Sequence, residues 1–189
     1  MRLIPFLIIT LVLSSACESN TSQKIKTNTK LENIEVRKLA NNHWQTYTDI
    51  KIDAPVEKVW EVLSDWDHLS DWSSSLIKME GDIQDKGKVR VTYLVDGNTY
   101  ESEHIFIYKE REEFGWSDLM EGSFKGLTDN HRFRVERISE NQTRFIQSDD
   151  FNGVGIENMS AEKVANSTVK FFPIFNRELK MEVEKKSKD

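Results

Sequence analysis

"IDAPVEKVWEVLSDWDHLSDW", residues 52–72, is where the chain changes its period. Ile52 closes an alternating run, "HWQTYTDIKID" (43–53), in which Trp44, Thr46, Thr48, Ile50 and Ile52 share one side, the pattern of a half-buried strand. From Pro55 the spacing turns helical. Val56, Val59, Trp60 and Leu63 fall on one face, and a proline suits a helix start because the first-turn amides have no intrahelical acceptor. A second short helical piece, "DHLSDWSS" (67–74), follows at once.

Beyond residue 75 the period returns to two. Runs at 76–81, 88–95, 98–109, 113–119, 130–139 and 142–151 read as strands, with "DGN" (96–98) and "SENQ" (139–142) as tight hairpin connections. Six successive strands with short links predict an antiparallel meander. The chain then closes with one long helix from about Glu157 to Glu184. Its apolar stripe is Ala161, Val164, Thr168, Phe171, Phe172, Phe175, Leu179 and Val183, and Pro173 is expected to kink it. The fold class is α+β: an antiparallel sheet of about seven strands, with two short helices after the first strand and the long helix packed on the sheet.

Four blocks in this order, "IDAPVEKVWEVLSDWDHLSDW", "HRFRVE" (131–136), "TRFIQSDDFNG" (143–153) and "FNRELKMEVE" (175–184), resemble the START/SRPBCC superfamily, including its polyketide-cyclase-like and birch-pollen-allergen-like members. The resemblance spans about residues 44–185. It implies a helix-grip fold, in which a curved antiparallel sheet wraps the C-terminal helix and leaves a cavity for a lipid, sterol, polyketide or other apolar molecule. It also places Asn176, Arg177 and Glu178 on the helix face turned to water, with Phe175 and Leu179 turned inward.

At the other end of the chain, Met1–Arg2 is a short positive start, Leu3 to Leu13 is almost wholly apolar, and Ser14-Ser15-Ala16 precedes Cys17, the single cysteine. An apolar run this short reads as an export signal rather than a span, which needs roughly 20 residues. The cysteine position resembles the bacterial lipoprotein signal, with Ser14 where an aliphatic residue is usual. That resemblance implies cleavage after Ala16 and lipid on Cys17, whose nucleophilic thiol can take a diacylglycerol as a thioether. Two or more acyl chains anchor stably where one does not. The expected organisation is a leader at 1–16, a lipidated N-terminus and flexible tether at 17–42, and a ligand-binding domain at 43–186. The expected location is the bacterial cell envelope, with attachment to a membrane through the N-terminal lipid.

A net charge of −6, from 26 Lys and Arg against 32 Asp and Glu, makes nucleic acid a poor partner, and the basic residues form no block suited to anionic lipid. An exported domain without a possible disulfide depends on its hydrophobic core, here supplied with 5 Trp, 10 Phe and 4 Tyr. Four Asn-x-Ser/Thr triplets, at Asn20, Asn141, Asn158 and Asn166, are incidental if the leader is bacterial.

Candidate cavity residues lie on the apolar strand faces and the inner helix stripe: Val91, Tyr93, His104, Phe106, Trp116, His131, Phe133, Phe172 and Phe175. Each also fits a reading in which it only fills the core. Trp66 and Trp72, at the helix-pair turn, are expected to pack. His104 and His131, with Tyr93, Glu103, Asp149 or Asp150, could form an acid–base set for cyclisation or dehydration of a ketide-like substrate. No cysteine cluster, His-x-x-x-His pair or glycine-rich phosphate loop is present, nor the two histidines and carboxylate that hold iron in ring-hydroxylating relatives. No metal and no cofactor are expected. The function expected is binding of a small hydrophobic ligand without catalysis, and the alternative is a polyketide cyclase/dehydrase-like enzyme using the same cavity.

Overall fold

The computed structural model describes residues 32–156 and 159–187. The leader, Cys17 and the tether up to residue 31 lie outside the described residues. The strands are β1 (Glu32–Ala40), β2 (His43–Ile52), β3 (Leu76–Gly81), β4 (Lys88–Val95), β5 (Asn98–Lys109), β6 (Glu113–Trp116), β7 (Leu127–Thr128), β8 (His131–Ser139) and β9 (Gln142–Gly153). The helices are α1 (Val56–Leu63), α2 (Ala161–Thr168) and α3 (Phe172–Lys186), with a 3-10 segment at Trp66–Asp71. The sheet runs β1-β2-β9-β8-β6-β5-β4-β3, every neighbour antiparallel, with β7 paired to β9 at one end.

The expected pattern accounts for β2, α1 and the meander. Thr46, Thr48, Ile50 and Ile52 are buried, as is the Val56, Val59, Trp60 and Leu63 face of α1. Asp96 and Gly97, with φ of 50° and 78°, join β4 to β5 in a two-residue turn whose positive φ angles match the twist of the strands.

Three features depart from the expectation. The segment 32–40, read as tether, is strand β1, so the folded unit begins before His43. Ile34 and Leu39 are exposed, and polar contacts hold the strand: Asn33 Nδ2 donates to both carboxylate oxygens of Asp49 at 3.0 and 2.8 Å, and the Arg37 guanidinium sits 3.8 Å over the Tyr47 ring. Such an edge strand has no hydrophobic period to read.

The terminal helix is two helices, not one kinked helix. Pro173 stands in the first turn of α3, where its missing amide costs no helical hydrogen bond, so the chain breaks before the proline. The Thr46 hydroxyl donates to the Ala165 carbonyl at 2.8 Å and fastens the end of α2 to β2.

The third departure is β6, which stops at Trp116 instead of running to Leu119. Asp118 and Asp129 then close a loop, with the Asp129 amide donating to the Asp118 carbonyl and the Asp118 amide donating to Asp129 Oδ1, both at 3.1 Å.

Two clusters form the core. The larger joins α1, the lower half of α3 and the sheet, with Leu63, Phe114, Phe145, Leu179 and Val183 at its centre. The smaller joins α2 to β7 and β9 through Leu127, Phe151, Ala161, Val164 and Ala165. Among the described residues, both draw on positions from Val36 to Val183.

Candidate functional site

Between the two clusters, α2 and α3 stand off the sheet and leave a cavity of about 470 Å³. Sheet register decides what faces it. His131 on β8 lies opposite Trp116 on β6 and Asp149 on β9, and Phe133 lies opposite Gln147. His104 enters from β5 and Tyr93 from β4, while Phe172 and Phe175 descend from α3. Alternation places all the inward side chains on one face. Gly115 lets β6 approach β8 closely, since a Cβ there would meet the His131 carbonyl oxygen at 2.0 Å.

Seven of the nine sequence candidates line the cavity: Tyr93, His104, Trp116, His131, Phe133, Phe172 and Phe175. Val91 and Phe106 do not. Both are fully buried in the larger cluster, where packed side chains fill the space, as Trp66 and Phe114 do beside Phe106. Trp66 packs edge-on against Phe114 at 4.8 Å between centroids, and Trp72 packs against Phe175 at 5.1 Å.

The aromatic groups form a continuous wall. His104 stacks on Trp116 at 4.5 Å and an interplanar angle of 19°, and Trp116 meets the His131 ring at 5.0 Å and 65°. His131 is sandwiched between Phe133 at 4.4 Å and Phe172 at 4.8 Å.

Polar groups converge at one end. His104 Nδ1 lies 2.7 Å from Asp118 Oδ2, and the Asn130 amide donates to Asp149 Oδ1 at 3.0 Å. The side-chain amide nitrogen of Gln147 donates to His131 Nε2 at 3.0 Å, which puts the proton of a neutral ring on Nδ1, 3.7 Å from Asp149 Oδ2. Burial pushes the His131 pKa down to about 3, helped by the charges of His104 and Arg132. Burial raises Asp149 well above the ordinary carboxylate value, and the charge of Asp129 adds to it. His131 and Asp149 therefore lie within ion-pair distance while burial favours the neutral form of both. Asp129 is raised by burial in the same way, and Tyr93 is held well above its usual value by burial and then by the surrounding carboxyl groups.

Two expected members of the acid–base set are elsewhere. Glu103 lies on the outer face beside Arg90, and Asp150 accepts from Gln45 on the opposite face of β9 from Asp149. Asp118, Asp129 and Gln147 were not anticipated, since the first two sit in a loop and a lone Gln in a strand carries no periodic signal. Asn176 is a further correction. It is fully buried, and its Nδ2 donates to Thr48 Oγ1 at 2.8 Å, while Thr48 donates to the Gln147 carbonyl at 3.1 Å. That chain fixes α3 against the strand that presents Gln147.

Residues 43–179 match the family described as polyketide cyclase / dehydrase and lipid transport. The chain belongs to that family. Among solved structures, the fold is similar to the Zhui aromatase/cyclase from Streptomyces sp. R1128, at 16% identity and a TM-score of 0.61, covering 77% of this chain and 96% of that one. A START superfamily protein from Mycobacterium smegmatis aligns at 13% identity and a TM-score of 0.57, over 75% of this chain and 97% of the other. A Thalictrum flavum norcoclaurine synthase point mutant in complex with a transition-state analogue aligns at 14% and 0.53, over 82% and 99%. No curated protein matches the sequence. At these identities the structural likenesses establish the helix-grip fold. Among the described residues no cluster of three or more His, Cys, Asp or Glu is placed to hold a metal ion, and no helix is long and apolar enough to cross a membrane.

Proposed function

We propose that this polyketide cyclase/dehydrase-family protein is a lipid-anchored binding protein of the bacterial cell envelope, holding a small, mainly hydrophobic molecule in its cavity without transforming it. The observation that supports this reading is the cavity of about 470 Å³, walled by aromatics and polar at one end, a volume in the range of small-molecule sites. Native mass spectrometry of protein purified from its own host, followed by organic extraction, tests it: a stoichiometric apolar compound is expected. An empty protein that also refuses fluorescent lipids and flat aromatic probes refutes it. The anchor rests on Cys17 and the leader before it, and Cys17→Ser is expected to move the protein from the membrane fraction to the soluble fraction.

The acid–base groups at the polar end favour a second reading, a cyclase- or dehydratase-like enzyme. Asp149 and Asp129 retain protons to higher pH than ordinary carboxyls, beside a neutral His131. Adding the extracted compound back separates the two. Return of the compound unchanged supports the binding protein, whereas conversion that Asp149→Asn abolishes supports the enzyme.

A further inference from the structure

The polar end of the cavity holds a buried hydrogen-bond acceptor that has no partner. The side-chain amide nitrogen of Gln147 is spent on His131, and its Oε1 is buried with no partner. His104 meets Asp118 Oδ2 through Nδ1, which leaves Nε2 as its other ring nitrogen. That atom too is buried without a partner. Both side chains are more than nine-tenths buried, and both line the cavity. Buried acceptors left open in this way normally find a donor.

Charge points in the same direction. Asp129 and Asp149 line the cavity and Asp118 stands behind His104, while among the described residues no lysine or arginine lines it. Arg132, next along β8 from His131, projects from the other face of the strand. A carboxylate or phosphate ligand would meet these carboxyl groups and the open Gln147 Oε1 there. A cation would find in the same groups its counter-charge and its acceptor.

We propose that the cavity selects an apolar amine: an aromatic or alicyclic body carrying a primary or secondary ammonium group, which donates to Gln147 Oε1 and is balanced by Asp149 and Asp129. The assignment rests on the reading of the cavity as a ligand site and adds the class of ligand. Burial, followed by the charge of Asp129, makes Asp149 keep its proton to higher pH than an ordinary carboxyl, and an entering ammonium group opposes both effects. Binding of the amine therefore releases protons.

The test is isothermal titration of the full-length protein at pH 7 with three probes of one shape: 2-(1-naphthyl)ethylamine, 2-(1-naphthyl)ethanol and 1-naphthylacetate. The amine is expected to bind at least tenfold more tightly than the alcohol and the carboxylate least well. Its binding heat should vary between buffers of different ionisation enthalpy, as proton release requires. Asp149→Asn is expected to erase the preference for amine over alcohol while keeping the alcohol affinity, and Asp129→Asn is the second variant should the first fail to fold. Equal affinities, or tighter binding of the alcohol or the carboxylate, overturn the amine assignment and leave the cavity reading standing. If none of the three probes binds, the cavity reading fails and the assignment with it.

Discussion

Replacing His131 by phenylalanine removes a titrating group whose folded and unfolded pKa values differ widely, and the difference sets a measurable dependence of stability on pH. In the folded chain the ring titrates at about 3, chiefly because it is buried, against 6.5 in the unfolded chain. Between those values the unfolded state binds more protons, so the folded state gains stability as pH rises and loses it as pH falls from 6.5 toward 3. At pH 5 an ordinary histidine is about 97% protonated and one titrating near 3 is about 1% protonated; integrated down from pH 8, the difference comes to about 2 kcal/mol. The figure at pH 5 hardly changes if the folded value is one unit higher, because the ring is then still mostly neutral.

The phenylalanine keeps an aromatic ring between Phe133 and Phe172 but leaves the Gln147 amide without its acceptor. That loss is the same at every pH. The Asp149 carboxyl responds to burial, Asp129 and Asp150 rather than to His131, so its contribution is common to both proteins and cancels. Urea unfolding, followed by tryptophan fluorescence at steps from pH 8 to pH 5, should show the stability of the unaltered protein falling relative to His131→Phe by about 2 kcal/mol. Parallel curves would refute the reasoning. They would mean that the ring titrates alike in both states and that water reaches it freely.

Three other substitutions give independent checks. Asp149→Asn should flatten the decline in stability with rising pH: with the folded pKa raised above the unfolded value of 3.8, the penalty grows as pH climbs between the two, and denaturant unfolding at several pH values measures it. Leu179→Ala, at a fully buried position on the gripped helix, should cost about 3–5 kcal/mol, and a loss below about 1 kcal/mol would place α3 off the sheet. Gly115→Ala forces a Cβ to 2.0 Å from the His131 carbonyl and should break the β6–β8 pairing, seen as loss of soluble protein or of far-ultraviolet strand signal.

Where burial writes a period into the chain, the sequence discloses the structure, and where polar contacts or a single residue decide, it does not. β2, α1 and the meander each have one buried face, and their residues repeat at two or at 3.6. Strand β1 is held by Asn33–Asp49 and Arg37–Tyr47 contacts whose partners are distant in sequence, so it resembles a tether. The site divides along the same line. Aromatic cavity residues such as Trp116 and Phe133 show in the alternation of their strands, but the same alternation also selects Val91 and Phe106, because period tells which face is buried and not whether the space behind it is filled. Asp118 and Asp129 meet across a loop closure, and Asn176 turns inward to a hydroxyl on β2, neither of which is encoded within one element.

The polar end of the cavity also links stability to occupancy. An open buried acceptor carries an unfavourable desolvation term of about 1–3 kcal/mol, and Gln147 presents one in the empty domain. A ligand that brings a donor relieves it, so its affinity derives partly from a strain already present in the fold. A ligand at a hundred times its dissociation constant stabilises the folded state by about 2.7 kcal/mol, comparable to what His131 costs at pH 5. Acidification acts on the same group of side chains in two directions, costing stability at His131 and restoring it at Asp149. An acidic compartment that protonates Asp149 and Asp129 lowers the affinity for a cation and removes part of the stability that the cation had supplied, which makes release in acid a direct consequence of how β8 and β9 are paired.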